Sequence, residues 1–90
     1  MKQTLIKLIL QVLNEPRLLR GAYVRFAEVF TQHSGQTVTR NNVYSWLKSG
    51  IPATKVGLAE ELSVKHAKRN SDRITARDLR PDLYKNNNQL

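Results

Sequence analysis

The most informative segment of this 90-residue chain is residues 38–52, VTRNNVYSWLKSGIP. Thr39 is a favourable helix N-cap, because its side-chain oxygen can accept a hydrogen bond from an N–H group of the first turn. Gly50 suits the position that follows a helix, and Pro52 prevents the helix from continuing. These signals predict a short helix between Thr39 and Gly50.

This short helix has one narrow apolar face. Val43, Trp46 and Leu47 stand at positions i, i+3 and i+4, so we predict that they dock together on the preceding helix. The same spacing indicates that Trp46 is a core residue and not a stacking platform for bases. The polar positions that point outward are then Arg40, Asn41, Tyr44, Ser45 and Lys48.

These outward positions have the chemistry that the major groove of DNA requires. Asn pairs with adenine through one donor and one acceptor, and Arg pairs with guanine through two donors. Thr39 and the backbone N–H groups of the first turn can hold a phosphate. No acidic residue lies between Glu28 and Glu60, so this stretch adds no repulsion toward phosphate. The alternative interpretation is an ordinary amphipathic helix with a solvated face.

Upstream, helical periodicity predicts two further helices. The first lies within residues 1–13, and its broad apolar stripe leaves open a second role as a dimer surface. That stripe consists of Leu5, Leu8, Ile9, Val12 and Leu13. The second helix is predicted to begin near Pro16, with Asn14 or Glu15 as its cap and residues 22–32 as its main part. Its apolar face consists of Leu19, Ala22, Phe26, Val29 and Phe30.

Downstream, a fourth helix is predicted to begin near Pro52 and to run to about Ser63, with Lys68 as its furthest end. Thr75 and Asp78 resemble a capping box in which Asp replaces Glu. The polar tail KNNNQL at 85–90 is predicted to be disordered. No strand-type alternation extends beyond a few residues. We therefore predict an all-α fold with a single domain over residues 1–84.

The composition favours a binding protein with an anionic partner. The chain has 15 Lys and Arg against 7 Asp and Glu, a net charge of +8, which suits nucleic acid, an anionic membrane or an acidic protein. It has no Cys, so disulfides, thiol catalysis and Cys-ligated metals are excluded. His33 and His66 have no partner at ligand spacing, and Ser34, Ser45 and Ser49 have no nearby His–Asp grouping. We expect no enzyme activity, no metal and no cofactor.

The first thirteen residues do not fit a signal peptide. Lys7 and Gln11 interrupt the apolar run, and no small-residue cleavage site follows. No stretch reaches the roughly 18 apolar residues of a membrane span. We therefore expect a soluble, cytoplasmic protein.

Two stretches resemble the helix-turn-helix regulators of the Cro/CI group, most closely the YdaS-like (Cro-like) family of prophage regulators and antitoxins. Residues 38–52 are similar to that family's valine-serine cap, polar reading helix, tryptophan-leucine pair and glycine-isoleucine-proline exit. Residues 74–84, ITARDLRPDLY, look like its closing segment. The resemblance implies a lambda-repressor-like domain of about four to five helices. The chain departs from the family by insertions at residues 31–37, which would lengthen the turn between the two motif helices, and at 64–73.

The resemblance also implies which residues contact DNA. The residues expected at base edges are Arg40, Asn41 and Ser45, and those expected at bases or the backbone are Asn42 and Tyr44. The residues expected at phosphates are Thr39, Lys48, Tyr23 and Arg25. One helix reads only a few base pairs, so the expected regulator is a homodimer on a palindromic operator of double-stranded DNA.

Two alternatives remain open at this point. An antitoxin or adaptor would act mainly by binding a partner protein, such as a cognate toxin or a phage protein, with DNA binding secondary; the lengthened turn motivates this hypothesis. The second alternative is nucleic-acid binding driven by charge alone. The few aromatic residues, most at core spacing, argue against a stacking surface for single strands.

Overall fold

The computed structural model describes residues 2–84, and these form only helices and connecting segments. The α-helices are α1 (Lys2–Leu13), α2 (Ala22–Ser34), α3 (Arg40–Ser49), α4 (Ala53–His66) and α5 (Ala76–Leu79). Two short 3₁₀ helices follow α4 and α5, at Asn70–Asp72 and Pro81–Leu83. No strand occurs in residues 2–84, so the all-α prediction is confirmed there. The predicted disorder at 85–90 falls outside the described residues.

Helix α1 lies at the centre of the fold and packs against each of the other four α-helices. Its apolar stripe is buried as predicted, at Leu5, Leu8, Ile9 and Val12. This stripe joins the single core that also contains Phe26 and Phe30 of α2. These four side chains are therefore packed within the molecule, while Leu13 of the same stripe is half-buried.

The predicted start of the second helix near Pro16 was wrong, because α2 begins at Ala22. Asn14 has a φ of 56° and Gly21 has a φ of 78°, so left-handed residues stand at both ends of the segment between α1 and α2. Asn14 and Glu15 do not cap α2. Leu19, expected on the apolar helix face, is 43% exposed in the intervening loop.

The predicted insertion at 31–37 is only partly a turn. Helix α2 continues through Ser34, and Gly35 ends it with a φ of 75° and an N–H that donates to the carbonyl of Thr31. The Val38 N–H donates to Thr31 Oγ1 at 2.8 Å, and that hydroxyl donates to the Val38 carbonyl at 3.1 Å. Part of segment 31–37 is therefore helix, and the end of the loop that follows is hydrogen-bonded to α2.

Segment 64–73, interpreted from the resemblance as a second insertion, both extends α4 and forms a connection. Helix α4 takes residues up to His66, and the chain then turns through Asn70–Asp72. The predicted capping box at Thr75 is confirmed, since the Thr75 N–H donates to Asp78 Oδ2 at 3.0 Å and the Asp78 N–H donates to Thr75 Oγ1 at 3.1 Å.

Arg80 ties the end of the described chain to the turn between α3 and α4. Its Nη1 donates to the Ile51 carbonyl at 2.6 Å, and its other nitrogens donate to the carboxylate of Asp82. The hydrogen bond to Asp82 and the charge of this carboxylate raise the pKa of Arg80 above its ordinary value. Gly50, with a φ of 96°, lies beneath this side chain, where an added Cβ would stand 3.2 Å from Arg80 Cδ.

None of the helices in residues 2–84 has the length and apolar character needed to cross a membrane.

Candidate nucleic-acid interface

The start of α3 is fixed by a reciprocal pair of hydrogen bonds. The Asn42 N–H donates to Thr39 Oγ1 at 3.3 Å, and the Thr39 N–H donates to Asn42 Oδ1 at 2.9 Å. Thr39 is thus the N-cap that the sequence predicted, and Asn42 completes a capping box that the sequence analysis did not anticipate. The first turn of α3 is held in place before any ligand binds.

The inner face of α3 is anchored in the core. Val43 is fully buried and Trp46 is 5% exposed, which confirms the core role predicted for Trp46. The Trp46 ring packs edge-on against Phe30, with centroids 5.2 Å apart, and Phe30 packs against Phe26 in turn. The orientation of α3 is therefore set by aromatic packing.

The outer face of α3 presents polar and basic side chains to solvent. This α3 outer face consists of Arg40, Asn41, Tyr44, Ser45 and Lys48, all exposed. Within residues 2–84, the side chains of Asn41, Ser45 and Lys48 make no hydrogen bond or ion pair. Their donors and acceptors are available for a ligand. Helix α3 contains no acidic residue.

Tyr44 links the α3 outer face to the start of α2. Its ring packs edge-on against Tyr23, with centroids 5.1 Å apart and planes at 84°. The Arg40 guanidinium carbon lies 5.9 Å from the centroid of the Tyr44 ring on the same helix. The structure thus brings together Tyr23, Arg40 and Tyr44 from the predicted set.

Three other predicted contact residues already have intramolecular partners, namely Arg25, Thr39 and Asn42. Arg25 forms an ion pair with Glu15, and its Nη2 also lies 3.3 Å from the Arg20 carbonyl. The Thr39 hydroxyl donates to Asn42 Oδ1 at 3.1 Å. A phosphate contact from Arg25 or Thr39 requires these partners to be exchanged. The N–H groups of Arg40 and Asn41, which have no intrahelical acceptor at a helix start, require no exchange.

An apolar cluster that sequence reasoning missed lies beside this face. Leu18, Leu19 and Val24 are exposed and line a shallow depression together with Arg40 and Tyr44. The error followed from assigning Leu19 to the buried face of a helix. One signal in the sequence could have indicated this cluster. Pro16 and Gly21 both disfavour a continuous helix, and two leucines lie between them.

The described residues contain no group of three or more His, Cys, Asp or Glu side chains arranged to hold a metal ion. His33 instead contacts Glu61, with Nε2 3.0 Å from Oε1.

No family model, curated protein or solved structure matches the chain. The resemblance to Cro/CI-type regulators accordingly rests on the two quoted sequence stretches.

Proposed function

We propose that the protein is a sequence-specific, double-stranded DNA-binding transcription regulator of helix-turn-helix type, similar to the Cro/CI and YdaS-like regulators. The observation that carries this proposal is the α3 outer face, which is acid-free, exposed and mounted on a helix that is capped and anchored in the core. The +8 charge of the chain supplies attraction to the phosphate backbone.

In the proposed mode of binding, α3 enters the major groove. Its ten residues span about 15 Å, and the groove is about 12 Å wide. Arg40, Asn41 and Ser45 contact base edges, and Lys48 contacts a phosphate. The first-turn N–H groups provide a further phosphate contact at the positive end of the helix dipole.

The proposed regulator acts as a homodimer on a palindromic operator. Two copies of α3 would read half-sites about 34 Å apart, which supplies the specificity that one short helix lacks. Occupying a promoter blocks polymerase, so repression needs no catalysis and no cofactor. A cytoplasmic protein associated with bacterial DNA, encoded by the host or by a phage, fits this role.

Substitution of the base-reading residues tests the proposal. We expect Arg40→Ala and Asn41→Ala each to cost about 1–3 kcal/mol of affinity for the operator, with little loss on a scrambled duplex. Arg17→Ala is the matched control for Arg40→Ala, because Arg17 is exposed, lies outside α3 and has no ion-pair partner in residues 2–84. Equal losses on the operator and the scrambled duplex would exclude these two residues as base readers.

The exposed apolar cluster of Leu18, Leu19 and Val24 favours a second candidate function, the binding of a partner protein such as a cognate toxin or phage protein. A partner that remains bound at high salt to the wild type but not to Leu19→Ser would support this function. If partner binding is the main function, we expect DNA binding to be driven by charge alone, to weaken with salt and to show no sequence preference. Retention of the same partner by Leu19→Ser would count against it.

A further inference from the structure

A second basic surface lies in a cleft on a different part of the molecule. The cleft has a volume of about 800 Å³ and lies between α1, the end of α4 and the segment that leads to α5. Its basic lining residues are Lys7, Lys65, Lys68 and Arg73. No residue of α2 or α3 lines this α1–α4 cleft, so it is separate from the α3 outer face.

The charges in the α1–α4 cleft are not balanced by its carboxylates. None of the four basic side chains has a carboxylate within 4 Å in residues 2–84. Of the two acids in the lining, Asp72 pairs with Arg69 at 3.4 Å, and Asp78 belongs to the Thr75 capping box. The cleft therefore has an excess of positive charge that is available to bind an anion.

A buried hydrogen-bond network holds the floor of the cleft. Ser63, which is 0% exposed, donates to Gln11 Oε1 at 2.5 Å and accepts the Ile74 N–H at 2.7 Å. Gln11 Nε2 donates in turn to the Asp72 carbonyl at 2.8 Å. The backbone is thus hydrogen-bonded on both sides of Arg73, so the point from which this side chain extends is fixed before a ligand arrives.

The environment of His66 disfavours the charged form of its imidazole. This side chain lines the cleft, and its pKa lies below the ordinary value for histidine because of burial and the charges of Lys65 and His33.

We propose that the α1–α4 cleft binds a compact anion that carries two or more linked phosphate groups. Four cations around one concavity match several negative charges held close together, and Arg73 supplies the planar donor pair that suits a phosphate. The volume falls within the range of small-molecule sites, about 300–1,000 Å³. This inference is independent of the DNA-binding proposal, because it uses none of the residues of α3.

Calorimetric titration of the full chain with inorganic triphosphate tests this proposal, with sulfate at equal ionic strength as the reference anion. We expect triphosphate to bind at least about tenfold more tightly than sulfate, and a Lys68→Gln/Arg73→Gln double variant to lose about tenfold or more of that affinity. The control is Arg17→Gln/Arg20→Gln, which removes the same charge from two exposed arginines outside the cleft. We expect it to change the affinity by less than about twofold.

Three outcomes would overturn the proposal. The first is equal affinity for triphosphate and sulfate. The second is an equal loss in the two double variants, which would assign the binding to net charge. The third is a Lys68→Gln/Arg73→Gln variant that binds duplex DNA more weakly than the control variant yet binds triphosphate normally, which would make the cleft a nucleic-acid surface. Circular dichroism of both variants checks that they are folded. Arg40→Ala leaves the expected triphosphate affinity unchanged, so the two proposals fail separately.

Discussion

The α3 outer face and the α1–α4 cleft are both basic, but they differ in shape and in construction. The first is a convex surface made by one helix of ten residues. The second is concave and combines residues from Thr4 to Asp78. A convex helix complements the groove of a duplex, whereas a concave cluster of cations complements a small anion. Equal sign of charge therefore does not imply the same ligand.

The two surfaces also differ in what holds them in place. Beneath the α3 outer face are Val43 and Trp46, which are packed in the apolar core. Beneath the α1–α4 cleft is the buried side chain of Ser63, with its hydrogen bonds to Gln11 and Ile74. A substitution beneath one surface should therefore disturb that surface and leave the other unchanged.

The largest effect is expected at Trp46. Trp46→Ala removes the ring that packs on Phe30 and should lower the free energy of unfolding by about 3–5 kcal/mol. Urea unfolding measures this loss. The control Ser45→Ala changes the exposed side of the same helix and should stay within about 0.5 kcal/mol of the wild type. Equal values for the two variants would show that α3 is not anchored by the core.

A smaller effect is expected at Ser63. Ser63→Ala leaves the Ile74 N–H and Gln11 Oε1 without their partner and should cost about 1–3 kcal/mol of unfolding free energy. Amide exchange should increase around Ile74 and remain unchanged in α3. Ser71→Ala, at an exposed position in the cleft lining, is the control and should have almost no effect. Faster exchange in α3 as well would contradict the separate support of the two surfaces.

The smallest effect concerns the titration of His66. Its lowered pKa means that the unfolded chain binds more protons near and below pH 6.5, the approximate ordinary value. The contribution of His66 to stability therefore decreases as the pH falls through this value toward the folded pKa. NMR titration should show this pKa rising in Lys65→Gln and staying unchanged in Lys2→Gln. A wild-type pKa at or above the ordinary value would contradict the positive potential of the cleft.

Local signals in the sequence were sufficient to predict α3. Thr39, Gly50 and Pro52 mark its ends, and the spacing of Val43 and Trp46 marks its buried face. Each of these signals depends only on residues a few positions apart. The local preference and the fold of the whole chain therefore agree in this segment. The set of outward side chains on α3 follows directly from them, and all are exposed.

Features that depend on distant contacts were not predictable in this way. Pro16 is compatible with a helix start or with a loop, and the left-handed residues Asn14 and Gly21 together with the Glu15–Arg25 ion pair accompany the loop. Beneath the cleft, a hydrogen bond joins Ser63 to Gln11, 52 positions away in sequence. Neither hydropathy nor spacing indicates such a pairing.

Selection of bound duplexes from a random DNA pool tests the central claim most directly. The selected duplex and a scrambled one are then titrated at two salt concentrations. We expect a palindromic duplex bound at least about 10³-fold more tightly than the scramble. No enriched sequence, with equal affinity and the same salt dependence for both duplexes, would contradict base reading by Arg40 and Asn41.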